Sequence, residues 1–190
     1  GICNMKQGFV SYIAGLDALR RAGIKPPGDL IIAGTAGEIE MAPVDEFQGK
    51  HYHGYGMGMR FMLIHGVTAD YHFLGEPTAQ TPSTGMMGTT WAKVTTYGDF
   101  SHSAFEERSL SAIDEMWLLW HELTGWIADF KKNNTYAGVV PSVNRACLRG
   151  GLPWRAARTC NEASLYVDIR FPPNRYPIDV QREFTAAVEK

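Results

Sequence analysis

Residues 88–105 read GTTWAKVTTYGDFSHSAF, and the way this stretch is taken decides the fold. Its first part, 88–98, alternates in character and reads as a half-exposed strand. A short turn rich in Gly, Asp and Ser follows, with His102 inside it. Beyond it, residues 109–131 place Leu110, Ile113, Met116, Trp117, Trp120, Leu123 and Ile127 at helical spacing, which predicts a long helix. SVNRACLRGG (142–151) and ASLYVDIRF (163–171) read as two further strands. PIDVQREFTAAVEK (177–190) reads as a second helix, with Pro177 suited to its first turn.

Strand, helix, strand, strand, helix is the order of a split βαβ arrangement, a ferredoxin-like α+β domain. Upstream the texture differs. KQGFVSYIAGLDALRRAG (6–23) carries Phe9, Val10, Ile13, Leu16 and Leu19 at helical spacing, and Gly23 fits the position just past a helix end. LIIAGTA (30–36) reads as a buried strand, MGMRFMLIHG (57–66) as a short helix and ADYHFLG (69–75) as a second strand. That order predicts a parallel-rich α/β sheet with sites beyond its strand ends. The boundary is expected in TAQTPSTG (78–85), which divides the chain into an α/β piece, 1–84, and an α+β domain, 85–190. Helical patterns run into both Gly1 and Lys190, so the sequence reads as an internal piece of a longer protein, its second domain incomplete at the C-terminal end.

The bulk numbers exclude several classes. A net charge of −2 across 190 residues offers no electrostatic case for nucleic acid. No stretch approaches the roughly 20 apolar residues of a membrane-spanning helix. The first residues have neither the basic region nor the apolar block of a signal peptide. Cys3, Cys147 and Cys160 are scattered and odd in number, without a ligand or disulfide pattern. A cytoplasmic location is expected.

TAGEIE (35–40) ends the first apolar run with two acids, and Glu76 ends the next. A parallel pairing of those strands brings Glu38 and Glu76 near one point. Clustered carboxylates need a cation, a proton or solvent to coexist. A divalent ion with one carboxylate left as general base is one solution; strand ends meeting water are another. His102 reads either as a catalytic group or as a solvated neighbour of a helix cap. His51 and His53 fit an exposed glycine-rich loop, and His65, His72 and His121 read as structural.

Taken together, CNMKQG, TAGEIE, ADYHFLGEPT and GTTWAKVTTYGDFSHSAF resemble the dinuclear-zinc amidohydrolases and exopeptidases. Acetylornithine deacetylase, succinyl-diaminopimelate desuccinylase, aminoacylase and glutamate carboxypeptidase are members. The resemblance implies an α/β catalytic domain interrupted by a lid that also makes a homodimer. It implies Zn2+, one or two per subunit, or Co2+ or Mn2+ in its place. It puts Glu38 where the family keeps its general base and Glu76 at a metal ligand. His102 falls at the lid histidine that stabilises the oxyanion in the partner subunit's site. Asn144, Gly150 and Gly151 resemble lid positions near the substrate's carboxylate, and Asp168 and Arg170 a structural stretch of the lid. The implied substrates are N-acyl amino acids or small dipeptide-like molecules, hydrolysed by a metal-bound water.

Two positions depart from the pattern. Asn4 stands where the family has its bridging Asp, and Ile39 where a second Glu would bind metal. Glu40 replaces that ligand only if the backbone turns, because in a strand it shares Glu38's face. Two lost negative charges favour one ion over two. The upstream His-x-Asp and the late His of the family are not in this stretch, so the piece by itself is expected to be inactive. The alternative reading is a catalytically silent relative that binds a small metabolite or serves as a dimeric scaffold.

Overall fold

The structure is a computed structural model, and it describes residues 2–38, 54 and 56–190. The chain divides into two compact units, Gly1–Thr84 and Gly85–Lys190, each described by itself.

The second unit is an open-faced α+β sandwich. Strand β1 (Gly88–Tyr97) leads to helix α3 (Ala112–Asn134); helices α1 (Gln7–Arg21) and α2 (Met57–Ile64) belong to the first unit. Strands β2 (Ser142–Gly150) and β3 (Glu162–Phe171) follow, and helix α4 (Pro177–Val188) ends the unit. The sheet order is β1-β3-β2, with both pairings antiparallel. β1 and β2 are therefore parallel to each other, joined by α3, with β3 between them. This is the split arrangement expected from the sequence, with three strands.

Alternation along β3 decides which face is buried. Ala163, Leu165, Val167, Ile169 and Phe171 are all buried against the helices. Met116, Leu123 and Phe130 of α3 and Val180 and Phe184 of α4 complete that core. The residues between them on β3 turn to a polar face, as an antiparallel sheet with one covered side allows. There Thr95 meets Ser164 at 3.1 Å, and Asp168 accepts from Thr89 at 3.0 Å and pairs with Arg170 at 2.9 Å.

Helix α3 starts at Ala112 rather than 109 because Ser111 caps it, its hydroxyl accepting from the Asp114 N–H at 3.4 Å. Asp114 and Glu115 in the first turn and Lys131 and Lys132 in the last complement the helix dipole. Asn134 closes the helix end, its amide donating to the Phe130 carbonyl at 2.9 Å and its oxygen accepting from Arg175. Arg175 also pairs with Glu183 of α4 at 2.8 Å, which ties the two helices together. The expected core face of α3 needs correction: Ile113 and Trp117 are 52% and 62% exposed, so a second apolar stripe points outward.

In the first unit, α1 and α2 form where the sequence places them, and Gly23 takes the left-handed conformation that ends α1. The expected parallel sheet is not present among the described residues. Residues 30–37 and 71–75 pair in no ladder among the described residues. Each lies against α1 instead. A Cβ at Gly8 would stand 3.0 Å from the Gly75 Cα, so two glycines let helix and chain touch backbone to backbone. Tyr12 donates its hydroxyl to the Phe73 carbonyl at 2.7 Å, and Gly34 faces the Phe9 ring. An apolar run becomes a strand only where a neighbour accepts its backbone groups. Here the apolar side chains stay open: Ile31 is 60% exposed and Phe73 88%. Val10 and Ile13 on the apolar face of α1 are exposed too.

Candidate functional site

Both extended segments of the first unit run back along α1. The chain leaves α1 at Gly23, passes Phe9 at Gly34 and reaches Glu38; the later segment passes Tyr12 at Phe73 and Gly8 at Gly75 before Glu76. Glu76 is thus carried toward the end of α1 from which Asn4 emerges, while Glu38 follows Gly34 by four residues. Glu38 is exposed and Glu76 half-buried. The Gly37 carbonyl accepts from Gly56 and Met57, at 3.1 and 3.2 Å, which sets the N-terminal end of α2 beside Glu38. A helix start favours a carboxylate. Glu40, His51, His53 and Ile39 lie outside the described residues.

A zinc site takes four donors, usually His, Cys or carboxylate. Among the described residues no group of three or more His, Cys, Asp or Glu side chains could hold a metal ion. Two carboxylates and the neutral amide of Asn4 do not fit the pair of ions that the resemblance implies.

In the second unit His102 stands between β1 and α3, at the start of a 3-10 turn, Ser103–Arg108. Its ring is exposed, with the Phe105 ring edge-on at 6.5 Å. Nδ1 accepts from the Ala104 N–H at 3.1 Å. That nitrogen presents its lone pair, so in the neutral ring the proton sits on Nε2 and is free to be donated outward. The turn is set by a close approach at Gly98, where a Cβ would lie 2.5 Å from both the Ala112 N and the Leu110 O. His102 pairs with Arg158 in an isolated antiparallel bridge. Arg155 and Arg158 stand over the Phe100 ring, at 5.8 and 5.5 Å from its centre.

Gly150 pairs with Ala163 at the same end of the sheet as His102. Gly151 follows in the left-handed conformation, its N–H donating to the Glu162 carbonyl at 3.2 Å. Asn144 lies opposite Asp168, five residues further along β3, about 17 Å at a strand's rise. The substrate-binding set therefore splits into a glycine pair at the His102 end and an asparagine well down the sheet. Sequence reasoning passed over Arg158 and its neighbours 157–159, because no local motif announces a pairing across more than fifty residues.

A last feature is the groove between α3 and β2, lined by Ile113, Trp117, Trp120 and Leu148. Arg145 stacks on Trp120 at 3.8 Å and donates to the Trp120 carbonyl and the Thr124 hydroxyl, which stiffens one wall. Among the described residues β2 pairs only with β3, so its outer edge is open beside this groove.

The second unit is thus a three-stranded split βαβ sheet under two helices, with the open edge of β2 beside an apolar helix stripe. Residues 84–190, more than half of the chain, match the peptidase dimerisation domain of the M20 family. The chain belongs to the M20 peptidase family.

Proposed function

We propose that the protein hydrolyses amide bonds in N-acyl amino acids or small dipeptide-like molecules and works as a homodimer. The observation that carries this reading is the hydrogen bond that His102 Nδ1 accepts from the Ala104 N–H, which in the neutral ring leaves the proton on Nε2. A donor fixed at Nε2 suits the oxyanion that forms when an amide carbonyl is attacked. Glu38 takes a proton from the attacking water and passes it to the departing amine. His102 serves the site of the partner copy, as the resemblance implies. No step is assigned to a metal, since the described donors do not complete a site.

The second copy docks on the groove between α3 and β2. An open strand edge invites an antiparallel neighbour, and the exposed Ile113 and Trp117 supply apolar surface to cover beside it. A twofold pairing there buries both features at once.

Release of free amine from a panel of N-acyl amino acids and dipeptides, incubated with the intact protein, tests the proposal. Glu38→Gln should lower kcat by roughly 10²- to 10⁴-fold with the dimer preserved. Unchanged turnover would remove Glu38 from the mechanism. The incomplete donor set and Asn4 favour a second reading, a silent relative that binds small acylated metabolites or acts as a dimeric scaffold. Calorimetric binding of panel members without any amine release would select it.

A further inference from the structure

His102 sits on a loop, and what holds that loop comes from far along the chain. The Ser103 N–H donates to the Ala157 carbonyl at 3.0 Å, and the Thr159 N–H to the Ser101 carbonyl at 3.0 Å. These two bonds flank the bridge between His102 and Arg158. The Thr159 hydroxyl adds a second tie. It accepts from the Ser101 N–H at 2.8 Å and donates to the Asp99 carbonyl at 2.5 Å. Asp99 is itself anchored to the start of the helical region: its N–H donates to the Leu110 carbonyl at 2.7 Å, and its carboxylate accepts from the Leu110 N–H at 2.8 Å. One half-buried hydroxyl thus gathers two backbone groups just upstream of His102 and links them to a fixed point.

We infer that Thr159 is a positioning residue for His102, setting the direction and tautomer of the imidazole without touching the reacting atoms. Its effect on turnover rests on the proposed oxyanion role of His102; its effect on the ring does not. Removing the hydroxyl leaves the Ser101 N–H without its acceptor and the Asp99 carbonyl without that donor. Both then seek water, and the loop that aims the ring loosens. The Nδ1 bond to Ala104 depends on that aim.

Long-range ¹H–¹⁵N correlation spectra of the full chain report which imidazole nitrogen of His102 carries the proton. Wild type and Thr159→Ser should both show protonation at Nε2. In Thr159→Val the two nitrogen shifts should converge toward an averaging ring. With the best substrate of the panel, kcat of that variant in the intact protein should fall roughly tenfold, KM changing less than about twofold, and Thr159→Ser should restore it. Should the valine variant not fold, Thr159→Ala receives the same measurements. Wild-type His102 shifts in a folded variant lacking the hydroxyl would overturn the inference. Shifted nitrogens with unchanged kcat would uphold it and overturn the oxyanion reading instead.

Discussion

The two units answer the same kind of sequence signal differently. In 85–190, an alternating run such as 163–171 becomes the centre of a sheet, with Leu165 and Ile169 fully buried. In 1–84, the apolar run 30–36 stays extended and open, with Ile31 60% exposed. The difference lies in partners rather than composition. β3 has a neighbour on each side and two helices beneath it. Among the described residues, 30–37 meet α1 and the start of α2. Hydrophobic patterning therefore states what a segment can bury, while ladder neighbours state whether it does.

The sharpest way to break this contrast is to truncate one side chain in each unit. Leu165→Ala should destabilise the second unit by about 3 kcal/mol, from lost burial and the cavity left behind. Ile31→Ala should change stability by no more than about 0.5 kcal/mol, as an exposed substitution does. Urea unfolding measures both, and equal losses would show that the first unit buries its apolar run after all. Next in size is the outward stripe of α3. Trp117→Glu should weaken self-association by about 2 kcal/mol, a rise in Kd of roughly 30-fold by sedimentation equilibrium. No change would move the interface away from the groove. Smallest is the cap of α3: Ser111→Ala should cost about 1 kcal/mol of stability, visible as a lower urea midpoint at unchanged slope.

Much of the second unit was legible because its signals are local. Alternation marked β1, an apolar-rich run marked β3, helical spacing marked α3, and Pro177 marked the first turn of α4. Ends moved by a few residues where a side chain decided them, as Ser111 and Asn134 do for α3. The outward turn of Ile113 and Trp117 was not legible, since spacing groups apolar residues without saying whether a second stripe is covered by the same molecule. The hold on His102 escaped for another reason. It depends on residues 157–159, whose pairing with 101–103 is a property of the fold. In the first unit, the acids Glu38 and Glu76 stood out as run ends, but the expected parallel pairing between them gave way to contacts with α1 through Gly8, Phe9 and Tyr12.

The central claim is that two copies of this chain share their working parts, Glu38 from one and His102 from the other. Mixing the intact protein's Glu38→Gln and His102→Ala variants, each inactive as its own homodimer, tests it directly. In a mixed dimer one site keeps both residues, so statistical reassortment should restore about a quarter of wild-type amine release. Activity that stays at the level of the separate variants, with mixed dimers present by native mass spectrometry, would contradict it.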